Sequence, residues 1–270
     1  MIYEIVKGLS KLTTSAKQIT TDIIMLDFTI VKAYMVRMSN STNWVLIDTG
    51  LENSYDFILT TAKEYFGENS RPKAILLTHG HFDHIGSVQK LADTWNMKVY
   101  AHELELPYLT GRKDYPKGDP SADEGLIAKM SSVFPNSGID LGSRITALEP
   151  EGRISVMEGW EWIHTPGHCE GHVSFFRDTD KVLIVGDAFT TTKQESLLSV
   201  ISGIDDVKGP PAYLTQDWVA SGKSVLKLKN LYPSMALPSH GDILKGEDLA
   251  KHLQYLINHY EEETVPEQYR

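Results

Sequence analysis

The stretch Thr78-His79-Gly80-His81-Phe82-Asp83-His84 places three imidazoles and one carboxylate within six residues. It follows the apolar run Ala74-Ile75-Leu76-Leu77, which predicts a buried strand. Because alternate residues of an extended chain share a face, His79 and His81 can approach one ion from the same side. Divalent metals of borderline softness favour such mixed imidazole and carboxylate ligands. The stretch therefore predicts a metal site; the alternative, four solvated loop residues, fits the density of the motif less well.

A helix is predicted directly after the histidines, from about residue 84 to residue 95. Its apolar residues recur at helical spacing, and they are Ile85, Val88, Leu91, Ala92 and Trp95. The turn that begins this helix can carry Asp83 and His84 toward a second ion.

Length and composition indicate an ordinary globular protein. A chain of 270 residues can bury a sizeable core, and we expect a single domain over residues 1–270. The formal net charge of -10 opposes binding to nucleic acid, because phosphates require a basic surface. One cysteine, Cys169, is compatible with a reducing compartment. No leader-like or membrane-spanning run is found, so we expect a cytoplasmic protein without a membrane partner.

The residues before the motif predict a strand, helix, strand unit. The buried run Trp44-Val45-Leu46-Ile47 ends in Asp48-Thr49-Gly50, and an amphipathic helix over 54–66 leads to the strand before the histidines. This order predicts a right-handed crossover and a partly parallel sheet. A carboxylate at the end of a buried strand is costly unless it is paired, so Asp48 should have a cationic or hydrogen-bonding partner. A role as a turn or cap residue is equally open.

Residues from about 104 to 153 are predicted to be an insertion. Proline and glycine interrupt them repeatedly, and only 121–134 looks helical. Long segments of this type are usually functional or mobile, so we expect this one to cover the metal site and to shape substrate choice. Tyr108, Tyr115 and Phe134 are candidates for substrate contacts, although anchoring the insertion is the simpler role.

The second half of the chain repeats the first pattern in outline. A short strand at 160–163 precedes the loop His164-Thr165-Pro166-Gly167-His168-Cys169-Glu170-Gly171-His172, and two strands flank the turn at 178–180. The second of these strands ends in Gly186-Asp187, and Ser239-His240-Gly241 follows a later apolar run. Helices are predicted over 215–230, with Thr215 as N-cap, and over 246–262.

The candidate ligands share one setting, the carboxyl end of an apolar strand run, where α/β sheets gather their functional groups. These residues are His79, Asp83, His168, Asp187 and His240. Separate loops can therefore converge on one cleft. Six or seven ligands exceed the about four that one zinc takes, so the count suggests two adjacent metals.

Five elements in this order resemble the metallo-β-lactamase fold superfamily over roughly residues 20 to 245. The elements are Asp48-Thr49-Gly50, the HxHxDH run from His79 to His84, His168 in HTPGH, Asp187 in VGDAF and His240 in PSHG. The resemblance implies an α/β fold, a four-layer αββα sandwich with the metals at one edge of two sheets.

The resemblance also implies a role for each motif residue. The ligands would be His79, His81 and His168 for one ion, Asp83, His84 and His240 for the second, and Asp187 as a bridge. Asp48 would support a ligand without touching an ion. His164 and His172 would orient the fold or support a ligand rather than bind an ion, and Cys169 would be a buried small hydrophobic residue.

The implied chemistry is hydrolysis by two divalent metal ions, zinc in the first place, with iron and manganese as alternatives. A bridging water loses a proton near neutral pH and supplies a hydroxide nucleophile, which Asp83 could orient. The motifs resemble the glyoxalase II and lactonase branches and predict a small ester, thioester or lactone as substrate. Two departures are Thr190, where quorum-quenching lactonases usually carry a tyrosine, and the acidic tail EEETVPEQYR, where glyoxalase II uses basic and aromatic residues.

Other functions remain open from the sequence. A phosphodiesterase of the same fold, a mononuclear iron persulfide dioxygenase with a triad of two His and one Asp, and a non-enzymatic metal-dependent binding module are alternatives. A true β-lactamase is disfavoured because members with a similar HxHxDH run lack the bridging aspartate, and the charge disfavours an RNA-processing nuclease. The expected partner is a small-molecule substrate; the oligomeric state is open, with a homodimer among the options.

Overall fold

The computed structural model describes residues 14–38, 41–195 and 207–270. They form two compact units. The N-terminal unit combines the described part of residues 1–115 with 137–158, and the C-terminal unit combines 116–136 with the described part of 159–270. The predicted insertion at 104–153 is thus shared between the two units. A single domain over the whole chain stays a prediction.

Among the described residues, the N-terminal unit contains a seven-stranded sheet in the order β1 to β7. Its strands are β1 Ser15–Gln18, β2 Ile23–Asp27, β3 Lys32–Arg37, β4 Trp44–Ile47, β5 Ile75–Leu76, β6 Val99–Ala101 and β7 Ile145–Ala147. Pairing is antiparallel from β1 to β4 and parallel from β4 to β7. This confirms the partly parallel sheet that the strand, helix, strand pattern predicts.

The helices of this unit are α1 Tyr55–Phe66, α2 Phe82–Ile85, α3 Val88–Trp95 and α4 Leu106–Leu109. Trp44 in β4 is fully buried and holds α1 and α3 against the sheet. Its ring stacks on Phe66 at 4.5 Å between centroids and meets Trp95 edge-on at 5.7 Å. These aromatic contacts fix both helices relative to the start of β4, the strand whose other end leads to Asp48.

The continuous helix predicted from 84 to 95 is wrong, because Gly86 and Ser87 separate α2 from α3. The carbonyl oxygen of His84 does not accept from the next helical turn. It accepts from the backbone N–H and the hydroxyl of Thr49, at 2.7 and 2.8 Å. The Gly86 N–H donates to Gly50 O, and the Ser87 hydroxyl donates to Leu51 O. The helix breaks because its backbone pairs with the segment after β4.

The C-terminal unit contains a five-stranded sheet in the order β12-β11-β10-β9-β8. Its strands are β8 Glu161–His164, β9 Val173–Arg177, β10 Val182–Gly186, β11 Met235–Pro238 and β12 Leu244–Lys245. Only β10 and β11 pair in parallel among these described strands. Asp187 and His240 follow these two parallel neighbours, so both side chains start from the same edge of the sheet.

The helices of the C-terminal unit are α5 Leu126–Lys129, α6 Trp218–Lys229, α7 Gly246–Asn258 and α8 Tyr260–Glu263. Helices α6 and α7 cover this sheet, with Val225, Leu228, Leu249 and Leu253 in a shared apolar core. Within the predicted helix at 121–134 only α5 is α-helical, since the turn that follows it at 131–133 is a 3-10 helix.

Thr215 is not the N-cap of α6. Asp217 takes that position, and its carboxylate accepts from the Ala220 N–H at 2.9 Å. The Thr215 hydroxyl donates instead to the Pro211 carbonyl. Residues 190–214, for which the sequence predicts no regular element, lie partly outside the described residues. No helix in the described part of the chain has the length and apolar character that a bilayer crossing requires.

Candidate metal centre

The N-terminal unit gathers four of the predicted ligands in the turn between β5 and α3. His79, His81 and His84 are buried, and Asp83 is half-buried. The two donor atoms of the first pair, His79 Nε2 and His81 Nδ1, lie 3.0 Å apart. In the second pair, His84 Nε2 lies 3.9 Å from Asp83 Oδ2. The two donor atoms of each pair are therefore close in space.

Asp48 lies behind this turn and has the partners that its burial requires. Its backbone adopts a φ of +57°, a left-handed conformation that turns the chain sharply after β4. One carboxylate oxygen accepts from the Thr78 N–H at 2.8 Å. The other accepts from the Thr78 hydroxyl at 2.7 Å and meets His84 Nδ1 at 2.9 Å. The expectation of a paired carboxylate is confirmed.

These bonds decide which ring nitrogen of each histidine is available to a metal. A carboxylate only accepts, so His84 carries its proton on Nδ1 and presents the Nε2 lone pair. The Thr78 hydroxyl donates to Asp48 and therefore accepts from His79 Nδ1, 3.1 Å away. His79 likewise presents Nε2. One buried carboxylate thus sets the tautomer of both histidines, directly for His84 and through Thr78 for His79.

The C-terminal unit gathers the other three predicted ligands. His168, Asp187 and His240 are all buried, and one carboxylate oxygen joins them. Asp187 Oδ2 lies 3.4 Å from His168 Nε2 and 3.2 Å from His240 Nε2. A carboxylate oxygen and two imidazole nitrogens are donors that a divalent metal accepts.

The donor spacing in each unit suits a divalent cation. Around a tetrahedral ion with bonds of about 2.0–2.1 Å, neighbouring donor atoms lie about 3.3–3.4 Å apart. The contacts of 3.0, 3.2 and 3.4 Å fall near that value. Imidazole and carboxylate are also the ligands that zinc, iron and manganese accept. The residues present therefore fit the metal ions that the sequence predicts.

Thr215 supports His168, and the sequence assigns it to a different role. Its hydroxyl donates to Pro211 O at 2.8 Å and therefore accepts from His168 Nδ1 at 3.3 Å. This bond leaves the His168 Nε2 lone pair facing Asp187. The two residues are separated by 47 positions, and a lone threonine before a helix carries no signal that could reveal the contact.

Glu105 is a second residue that sequence reasoning missed. It is fully buried, and Oε2 accepts from the Gly80 N–H at 2.8 Å and from the Tyr115 hydroxyl. The Tyr115 ring packs against His81 at 4.6 Å and stacks on Tyr108 at 3.9 Å. Both tyrosines are buried, which favours the anchoring role over substrate contact. Beneath the histidine pair, Glu105 and Tyr115 hold the backbone of Gly80.

The remaining predicted residues have plain structural partners. Phe134 packs edge-on against Tyr213 at 5.9 Å, and Cys169 is buried as expected. His164 Nε2 contacts the Glu170 carbonyl at 2.9 Å. Thr190, in the place of the lactonase tyrosine, is buried, and its hydroxyl donates to the backbone carbonyls of Thr192 and Gly209.

A family model described as Metallo-beta-lactamase superfamily matches residues 26–240 of the chain. Probable metallo-hydrolase YflN of Bacillus subtilis (strain 168) is 42% identical over 230 residues, which cover 85% of this chain and 87% of that protein.

Two solved structures are similar in fold. The archaeal metallo-beta-lactamase superfamily protein ST1585 from Sulfolobus tokodaii aligns with a TM-score of 0.57 at 19% identity, covering 85% of this chain and 81% of that one. The di-iron-bound form of TTHA1623 aligns with a TM-score of 0.54 at 28% identity, covering 80% and 89%. These likenesses confirm the predicted fold class, a mixed α/β fold with two sheets.

Proposed function

Since the chain belongs to the metallo-β-lactamase superfamily, we propose that it is a hydrolase with two divalent metal ions that cleaves a small ester, thioester or lactone. The family and the similarity to YflN support a metallo-hydrolase with a candidate His and Asp metal site. The number of ions, the metal and the bond cleaved are the proposal's own additions. Zinc is the first choice of metal, with iron and manganese as alternatives.

The proposed ligand sets combine residues of both units. His79, His81 and His168 would hold one ion, Asp83, His84 and His240 would hold the other, and Asp187 would bridge them. The family model covers all seven of these residues.

The observation that carries the proposal is the position of Asp187 Oδ2, 3.4 Å from His168 Nε2 and 3.2 Å from His240 Nε2. These two histidines are assigned to different ions, so the oxygen between them has the geometry of a bridge. The similar protein TTHA1623 takes up two irons, which supports a centre with two ions.

When bound, two such ions would lower the pKa of a coordinated water toward neutrality and polarise the substrate oxygen. The chain's own residues would then position the reactants. Asp83, on the first turn of α2, would accept a hydrogen bond from the attacking group and fix its direction. The buried imidazoles exclude bulk water, which strengthens every charge interaction at the site.

The loop residues favour a carbonyl substrate. The HTPGH segment and the aspartate after β10 resemble the glyoxalase II and lactonase branches. Thr190 makes only backbone contacts, so this chain would bind such a substrate without the lactonase tyrosine. The net charge of -10 supports a small molecule rather than nucleic acid as the partner. The proposed place of action is the cytoplasm, without a membrane.

The test begins with elemental analysis of protein produced without added metal, followed by turnover of a thioester, a lactone and a phosphodiester in parallel. We expect two ions per chain and cleavage of a thioester or lactone. Cleavage of the phosphodiester alone would overturn the carbonyl substrate. One iron per chain with thiol-dependent oxygen uptake would favour the persulfide dioxygenase instead. A His81→Ala variant should keep its fold and lose turnover.

A further inference from the structure

His172 is a buried histidine that the proposed metal centre does not use as a ligand. It is fully buried, four residues after the ligand His168. Its Nε2 lies 2.8 Å from the backbone nitrogen of Asp187, and its Nδ1 lies 2.8 Å from the Thr165 hydroxyl. Both ring nitrogens are therefore engaged inside the C-terminal unit.

The direction of every hydrogen bond around this ring is determined from both ends. At one end, a backbone N–H only donates, so His172 Nε2 must accept from Asp187. At the other end, a backbone carbonyl only accepts, so the Ser174 hydroxyl donates to Val185 O at 2.7 Å. Ser174 then accepts from the Thr165 hydroxyl at 3.2 Å, and Thr165 accepts from His172 Nδ1.

The two ends agree on one protonation state of the ring. His172 carries its proton on Nδ1 and a lone pair on Nε2. With this protonation, each of these hydrogen bonds keeps the donor and the acceptor given above. This series of hydrogen bonds starts at Asp187, just after β10, passes through Ser174 in β9 and ends at Val185 within β10. The three side chains and the residues Asp187 and Val185 are all buried, so a missing partner would leave a polar group without water.

We propose that His172 is the positioning residue of Asp187. By accepting from the Asp187 N–H, it holds the backbone from which the carboxylate reaches His168 and His240. This role rests on the proposed function, because it assigns a purpose to the carboxylate position that the two ions would require. It makes His172 a determinant of metal affinity, without contact to an ion or to the substrate.

Two substitutions separate this role from simple packing. The side-chain oxygen of His172→Gln reaches the place of Nε2 and can still accept from Asp187. The shorter side chain of His172→Asn reaches only the place of Nδ1 and keeps contact with Thr165. We expect the Gln variant to bind Zn²⁺ within a few-fold of the unaltered protein, and the Asn variant to bind about 10–100-fold more weakly.

The affinity is measured by competition with a chelating dye on protein stripped of metal and titrated with Zn²⁺. His259→Asn, the same change at a histidine that follows α7 and whose Nδ1 contacts Tyr255 O at 2.9 Å, is the control and should leave the affinity unchanged. Equal affinity in the His172→Asn variant, or an equal loss in the His172→Gln variant, would overturn the proposal. If the unaltered protein took up no Zn²⁺, the proposed function would fail.

A spectroscopic measurement tests the hydrogen bond independently of any metal. ¹⁵N shifts of labelled histidine in the full-length protein distinguish the two neutral tautomers. We expect His172 to be protonated on Nδ1, with Nε2 shifted as a hydrogen-bond acceptor. A proton found on Nε2 would contradict the inference, whatever the metal content.

Discussion

Three histidines of the candidate centre each have Nδ1 against an oxygen of a neighbouring side chain. His79 pairs with Thr78, His84 with Asp48 and His168 with Thr215, at distances between 2.9 and 3.3 Å. Because Nδ1 donates in each pair, all three rings present Nε2 as the ligand atom. The chemistry of the centre therefore depends on residues that would never touch an ion.

Asp48 offers the sharpest test at this scale. In the Asp48→Asn variant one oxygen can still accept from the Thr78 N–H, but an NH₂ group would face His84 Nδ1 and the Thr78 hydroxyl. We expect His84 to change tautomer or turn away, and the affinity for Zn²⁺ to fall about 10–100-fold, measured by chelator competition.

Asp27→Asn is the matched control for that experiment. Asp27 also ends a strand of the same sheet. Its Oδ1 accepts from the Thr29 N–H at 2.7 Å, a bond that asparagine keeps, and its Oδ2 lies 3.6 Å from Lys32 Nζ. Its Zn²⁺ affinity should equal that of the unaltered protein. An Asp48→Asn variant that binds as tightly as the control would refute the role given to Asp48.

At the scale of elements, the segment after β4 and the turn between α2 and α3 are joined by backbone bonds. Thr49, Gly50 and Leu51 bond to His84, Gly86 and Ser87 respectively. Gly86 is required there by space rather than by its dihedral angles. A Cβ on Gly86 would lie 2.3 Å from backbone atoms of Leu51 and Glu52.

We therefore expect Gly86→Ala to force these two backbone segments apart. The free energy of unfolding of the metal-free protein should fall by about 1–3 kcal/mol, as for other overpacked sites, in a urea titration. Affinity for Zn²⁺ should fall as well, because Asp83 and His84 move with the turn. Gly222→Ala in α6, whose Cβ would meet only the Tyr260 ring, is the control. Equal stability of the two variants would contradict the argument.

The sequence predicts this part of the fold well where periodicity and strand ends decide it. The helix at 54–66, the strands before each motif and the pairing of Asp48 all follow from residues close in sequence. The break at Gly86 does not, because it depends on Thr49, 35 positions before His84. The displaced N-cap of α6 and the roles of Thr215 and Glu105 also arise from contacts between distant residues, which periodicity does not encode.

At the scale of the whole molecule, metal binding and folding stability are linked. An ion that binds only the folded chain stabilises it by about 2.7 kcal/mol when present at 100 times its dissociation constant. For a chain of this size, that corresponds to a rise of about 5–10 °C in Tm. We expect Tm to fall by this amount in a strong chelator and to recover with added Zn²⁺. A Tm that is insensitive to both additions would contradict a metal centre within the fold.

The proposed function requires two ions per chain, with Asp187 as their bridge. Anomalous diffraction recorded at a metal absorption edge, from crystals of protein purified without chelator, tests it most directly. We predict two peaks about 3.5–4 Å apart, one beside His79, His81 and His168 and the other beside Asp83, His84 and His240. A single peak, or peaks away from these residues, would contradict the account.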